Sequence, residues 1–148
     1  MRDSNKLQIL SAPFGATIMG FNLINVAEVG FSTQIEKVPL SRSFVLGVTN
    51  LRGAILPVIS LARLMGVEFE IKNGAHHVVT HYLGRRIIFE IPQVGHILNI
   101  ARSEIEKIDT QNGFASNRNF SGLFQNDGRI VKLINIESVF DQLYGGQA

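Results

Sequence analysis

Residues 47–66 read GVTNLRGAILPVISLARLMG: two apolar, β-branched runs around a Leu-Arg-Gly turn, followed at once by a helix-like LARLM. The β-branching predicts a strand on each side of the turn, and Gly53 can supply the positive φ that a tight hairpin demands. Arg52 is the one charge between residues 47 and 62. A lone arginine on an apolar hairpin suggests contact with a partner, although a solvated turn tip is an equally ordinary place for a charge.

The same pattern returns 75 positions later, without a gap, in residues 122–141, GLFQNDGRIVKLINIESVFD. Physical roles repeat along with letters. Arg52-Gly53 aligns with Asp127-Gly128, both readable as turns. Ser60 aligns with Asn135, two good N-caps, and each precedes apolar residues at the spacing of one helix face: Leu61, Leu64 and Met65, then Ile136, Val139, Phe140 and Leu143. Pro57 aligns with Lys132, and since each residue type is a known way of blocking further strand pairing, both second strands are expected at sheet edges. A weaker echo relates 26–29, VAEV, which is read as the end of a strand, to 94–97, VGHI.

Short strands are expected at 44–48, 55–59, 78–83, 86–91 and 129–134, and helices only at 61–65, 103–108 and 136–143. This predicts a mainly β protein with a few short helices, built as two similar small barrels within one domain, 1–148. The subdomains are expected near 7–70 and 75–143, parted by the polar, glycine-containing 70–75, with the terminal strands free to cross over. The polar loop 109–119 is expected to be the most mobile part.

Composition narrows the function classes. The 148 residues are 45% apolar and 18% charged, as in a folded protein with a substantial core. A net charge of +2 is too small for a strong positive field, so nucleic acid is not the expected partner. With no cysteine there is no disulfide framework or thiol nucleophile, which suits a reducing compartment. The uncharged run 7–27 is interrupted by Pro13, Gly15, Gly20, Asn22 and Asn25, a poor match to a membrane span or a signal peptide, so a cytoplasmic location is expected.

No phosphate-binding glycine loop, zinc-protease helix motif or nucleophile elbow occurs, and the carboxylates are scattered; no enzyme, cofactor or metal is expected. His76, His77 and His81 cluster, but strand neighbours point to opposite faces and residues four apart lie about 13 Å apart along a strand, too far for one simple zinc chelate. The rival binding module, a small barrel for nucleic acid, would need basic residues interleaved with aromatics on one face, and only Arg85-Arg86 are adjacent.

The order of these features resembles the CheW family, adaptor domains that join chemoreceptors to a histidine kinase. The resemblance rests on Asn50-Leu51-Arg52-Gly53, preceded by Gly47-Val48-Thr49 and followed by Ile55-Leu56-Pro57-Val58-Ile59 and a capped helix. Val26-Ala27-Glu28-Val29 is similar to the family's Val-Xaa-Glu-Ile element and 84–100 to its second-half strand pair, so the likeness spans about 26–143. Departures are Ser60 and Asn135 at caps where the family often has Asp, Pro92 in place of another common Asp, and an N-terminus unlike the usual first strands. Pro92 removes an amide from an expected strand.

The resemblance implies two SH3-like five-stranded β-barrels and a non-catalytic signalling adaptor. Its expected partners are the cytoplasmic tip of a methyl-accepting chemoreceptor and the regulatory domain of a CheA-type histidine kinase, in chemotaxis or in pilus-based twitching motility. It also implies recruitment to membrane-associated receptor arrays without membrane insertion. Val26, Glu28 and Arg52 map to receptor-side positions, and Glu28 is expected near Arg52, orienting it. Phe44, Val45, Leu46 and Leu51 are candidates for a kinase-side edge, against the simpler reading that they are core. Gly47, Gly53, Gly128, Ser60 and Asn135 are read as backbone turns and caps.

Overall fold

The computed structural model describes residues 5–31, 34–39, 42–66, 75–108 and 118–145. Residues 70–74 of the expected boundary and 109–117 of the polar loop lie outside them. Eleven strands are described: β1 (Lys6–Phe14), β2 (Thr17–Asn22), β3 (Val26–Phe31), β4 (Val45–Leu51), β5 (Ala54–Ser60), β6 (His76–Tyr82), β7 (Arg85–Ile91), β8 (Ile97–Ala101), β9 (Glu106–Lys107), β10 (Phe120–Asn126) and β11 (Arg129–Ile134). Two α-helices, α1 (Leu61–Met65) and α2 (Ile136–Tyr144), follow β5 and β11.

The strands form two sheets, and the sheets divide the chain differently from its linear order. One compact unit is continuous, Val26–Gln93, with strand order β3-β6-β7-β5-β4. The other joins Met1–Asn25 to Val94–Ala148, in the order β8-β1-β2-β11-β10-β9. The division at 7–70 and 75–143 is therefore corrected: the hairpin β1–β2 completes the sheet of the C-terminal half, and β6–β7 completes that of β4–β5. Parallel pairing is the reason, since Ile18–Gly20 run beside 131–133 and Val58–Ser60 beside 88–90. One sheet also has six strands rather than five, the extra being the two-residue β9.

The 75-residue echo is a true structural repeat. Ser60 N–H donates to the Phe44 carbonyl at 2.9 Å and Asn135 N–H to the Asn119 carbonyl at 2.8 Å, the same bond at the same offset. Each first strand carries a bulge before a glycine, Val45/Gly47 and Phe120/Gly122. Beside each glycine an approaching backbone closes in: a Cβ on Gly47 would stand 2.0 Å from the Glu36 carbonyl oxygen, and one on Gly122 2.9 Å from that of Glu106. The caps repeat as well, Ser60 Oγ accepting from Arg63 N–H and Asn135 Oδ1 from Ser138 N–H.

Four local expectations change. The strands β5 and β11 are internal, not edges. Both backbone groups of Val48 bond to Glu36 at 2.8 Å, away from β5, so its partner Pro57 directs its nitrogen away from β4. Pairing with β7 starts only at Val58, and the missing N–H costs no ladder bond. Lys132 instead sets its ammonium 5.4 Å from the centre of the Phe120 ring. Residues 103–108 are no α-helix: a single 3-10 turn, Arg102–Glu104, leads into β9, which pairs with β10, while Ile105 packs on the core. Finally, Val26 begins a strand rather than leading to the end of one, and Pro92 lies just beyond the end of β7, where it interrupts nothing.

The cores are apolar. In the continuous unit Leu56, Val58, Val79 and Ile88 form a buried cluster with Ile35, Leu46, Leu51 and Ala54 packed against it. In the other, Ile9, Ile100, Phe124, Val131 and Leu133 do the same with Ile105. Since Ile100 lies on edge strand β8 and Ile105 beside edge strand β9, that sheet curls until its two edges share one interior.

Candidate functional site

The Arg52 turn is built from its own four residues. Arg52 adopts φ 51° and Gly53 φ 88°, the pair of left-handed residues that matches a two-residue hairpin to strand twist. Asn50 Oδ1 accepts from Gly53 N–H at 2.8 Å and closes the turn from the side. Leu51 and Ala54, on either side, pack on the core cluster and hold the hairpin still. Asn50, whose Asn-Xaa-Xaa-Gly spacing signals such a side-chain turn, belongs among the site's supporting residues although sequence reasoning did not assign it that role.

Glu28 reaches this turn from the opposite edge of the sheet. On β3, Val26 pairs with Thr80 and Glu28 with Val79, so Ala27 is a bulge residue. Cross-strand partners share a face, and the bulge moves Glu28 to the face of Val79, the cluster on which Leu51 and Ala54 pack. Arg52 Nη1 donates to Glu28 Oε2 at 2.5 Å. In a flat sheet of this order β3 and β4 would stand about 19 Å apart, four spacings of ~4.8 Å, beyond the joint reach of the two side chains. The ion pair thus marks where the sheet curls and its edges meet.

Geometry and charge make this pair a presented group. The Arg52 side chain is 73% exposed and that of Glu28 33%. The hydrogen bond and negative charge of Glu28 raise the Arg52 pKa further, so the guanidinium is cationic at any working pH. One N–H is held by Glu28 while the exposed remainder of the fork faces outward, a geometry suited to a carboxylate or carbonyl of another molecule. Val26, half-buried at the start of β3, lies two residues from Glu28 along the same strand.

The other candidate residues do not form one surface. Leu46 and Leu51 pack on the core cluster, Val45 pairs with Ile59, and the Phe44 carbonyl is taken by Ser60. Among the histidines, His77 is buried and its pKa is lowered by desolvation, His81 is exposed, and His76 stacks on Phe31 with ring centroids 5.1 Å apart. No three His, Asp or Glu residues gather as a metal site among the described residues. Phe14, Phe21, Phe89, Phe120, Phe124 and Phe140 are all buried, which takes them from any base-stacking face. No helix among the described residues is long and apolar enough to cross a membrane.

With the repeat, the interleaved sheets and the Arg52–Glu28 pair established, known proteins supply the family. The profile described as CheW-like domain matches residues 8–143. The chain belongs to the CheW-like family. Among similar proteins, the chemotaxis protein CheW of Thermotoga maritima is 27% identical over 138 residues, covering 93% of this chain and 90% of that one. The chemotaxis protein CheW of Helicobacter pylori is 24% identical over 135 residues, 90% of this chain and 81% of that one. The crystal structure of the scaffolding protein TtCheW from Thermoanaerobacter tengcongensis superposes with a TM-score of 0.84 at 22% identity, covering 96% of this chain and 97% of that one. That likeness shows a shared CheW-like fold.

Proposed function

We propose that this chain is a non-catalytic adaptor that couples a chemoreceptor's cytoplasmic tip to the regulatory domain of a CheA-type histidine kinase. Membership in the CheW-like family supports the class of function, and the chemotaxis proteins it resembles support the pathway. The observation that carries the receptor side is the Arg52–Glu28 pair: an exposed cation on a rigid turn, oriented by a carboxylate from across the sheet. Val26 lies beside Glu28 on the same strand and adds apolar surface there.

The kinase side is assigned to the Phe44–Val45 end of edge strand β4, with Leu46 and Leu51 serving mainly as its packed support. The mechanism is geometric coupling: a receptor conformation that changes its fit to the Arg52 surface changes the pose of the bound kinase, provided the two states bind with different affinity. The chain acts where receptor arrays meet the membrane, recruited by its partners. Reconstitution tests this reading. Receptor cytoplasmic fragment and kinase should co-sediment only when the chain is added, and Arg52→Ala should release the receptor while keeping the kinase. Co-sedimentation that does not depend on the chain contradicts the adaptor role.

A further inference from the structure

A recess of about 350 Å³ opens on the β4–β5 hairpin, lined among the described residues by Gln34, Glu36, Val48, Thr49, Asn50 and Ile55. Its floor is the outer face of the hairpin. Leu56, the partner of Thr49, lies in the core cluster, so the alternate rungs Val48–Pro57 and Asn50–Ile55 face outward. Its wall is the segment around Glu36, fixed to β4 at two places. Both backbone groups of Glu36 bond to Val48 at 2.8 Å, and Thr49 Oγ1 donates to the Gln34 carbonyl at 2.7 Å. Asn50 Oδ1 is occupied by Gly53 N–H. Glu36 is exposed, and its carboxylate has no hydrogen bond or ion pair among the described residues. Ile55, 63% exposed, is an apolar side chain left in water beside it.

The same arrangement is built twice. Residues 35–38, IEKV, recur as 105–108, IEKI, and their pairing recurs with them. Glu36 bridges to Val48, and Glu106 pairs with Leu123, 75 positions further on. A Cβ on the bulge glycine would meet the same two groups in each copy: the Glu36 carbonyl and Ile35 Cγ2 at Gly47, the Glu106 carbonyl and Ile105 Cγ2 at Gly122. The exposed set recurs as well. Glu106, Gln125 and Ile130 stand where Glu36, Asn50 and Ile55 do, and Ile130 is 50% exposed. A carboxylate beside an uncovered isoleucine is thus a feature of both copies rather than one stray residue.

We propose that the recess of the continuous unit takes an arginine or lysine side chain of the chemoreceptor tip, its stem lying on Val48 and Ile55 and its cation on Glu36. A basic side chain, with an apolar stem and a charged head, answers both the isoleucine and the carboxylate. The Asn50–Ile55 rung adjoins the Arg52 turn, away from the Phe44–Val45 end of β4, which assigns the recess to the receptor. The Glu36–Val48 bridge lies three residues before the end of β4, about 10 Å at ~3.3 Å per residue. Anion and cation at two places along one hairpin fix the direction in which a partner lies across it, since a reversed partner meets like charge at both. The inference rests on the receptor-binding reading of the Arg52 hairpin, and its test separates the two.

The test titrates purified receptor cytoplasmic fragment into wild type, Glu36→Gln, Glu36→Lys, Ile55→Thr and Arg52→Ala at low and high salt, with a thermal melt of each. Glu36→Gln should bind about three- to tenfold more weakly at low salt, a gap that narrows at high salt, and Glu36→Lys about a hundredfold more weakly. Ile55→Thr, which keeps the β-branch and loses apolar surface, should bind about three- to tenfold more weakly. The melting temperatures of both Glu36 variants should match wild type, because the carboxylate holds nothing in the fold and the backbone bonds of Glu36 remain. Wild-type affinity in Glu36→Gln, a loss that tracks a lowered melting temperature, or a loss seen only with the kinase regulatory domain in place of the receptor overturns the proposal. If Glu36→Gln binds normally while Arg52→Ala loses binding, the recess is refuted and the receptor-binding role of Arg52 stands. If neither change matters, both fail.

Discussion

At the scale of single residues, the fold places charge sparingly and each placement has a cause. Arg52 and Glu28 come from opposite edges of one sheet, and Asn50 and Gly53 set the turn that aims the arginine. His77 is the counterexample, a titratable group whose burial holds its pKa below the ordinary 6.5. A histidine kept neutral by folding binds its proton more readily when unfolded, so its contribution is complete above pH 6.5 and is lost as pH falls through and below that value. Glu90, directly opposite on β7, is shifted upward, chiefly by burial and against the pull of Arg63. It acts in the reverse sense, adding stability as pH falls toward its ordinary 4.5. In a Glu90→Gln background the midpoint of urea unfolding should therefore drop between pH 7.5 and 5.5, and His77→Gln should flatten that drop; equal slopes with and without His77 would count against its role. Of these residues, Arg52 and the caps were legible from their neighbours in sequence. Leu83 was not: the sequence places it in a strand, 78–83, whereas it is a turn residue at φ 50°.

At the scale of elements, hairpins and capped helices were legible and sheet partners were not. The turn at 52–53, helix α1 and the start of α2 fall where the sequence sets them, because each depends on residues within a few positions. Pro57 and Lys132 pointed to edges, yet β5 and β11 are internal, because parallel pairing between distant segments leaves no local mark. The edge that does need protection is that of β4, and a segment around Glu36 covers it through the bridge to Val48. Gly47 makes room for that segment, with φ 152° and no space for a Cβ beside the Glu36 carbonyl. Gly47→Ala should push the Glu36 segment off β4 and cost about 2 kcal/mol or more in chemical denaturation, with faster amide exchange at Val48 and Glu36. Unchanged protection of both amides would show that the strand yields instead.

At the scale of the whole molecule, the chain is a duplicated unit whose copies exchange a hairpin in sequence order. The continuous unit Val26–Gln93 holds all five strands of its sheet, whereas a fragment cut at 7–70 would carry β1–β2 without β11 and β4–β5 without β7. Residues 26–93 expressed alone should give a cooperative, if marginal, unfolding transition, and residues 7–70 should give none. A folded 7–70 fragment would mean that the hairpins can choose other partners. This arrangement presents Arg52 from a self-contained sheet. Under the proposed function Arg52, oriented by Glu28, serves receptor binding and not stability. The most direct test is calorimetric titration of the receptor cytoplasmic fragment into wild type and Arg52→Ala at matched ionic strength, beside their thermal melts. Arg52→Ala should lose about tenfold or more in affinity with an unchanged melting temperature. Equal affinities, or a melting temperature that falls along with binding, would contradict it.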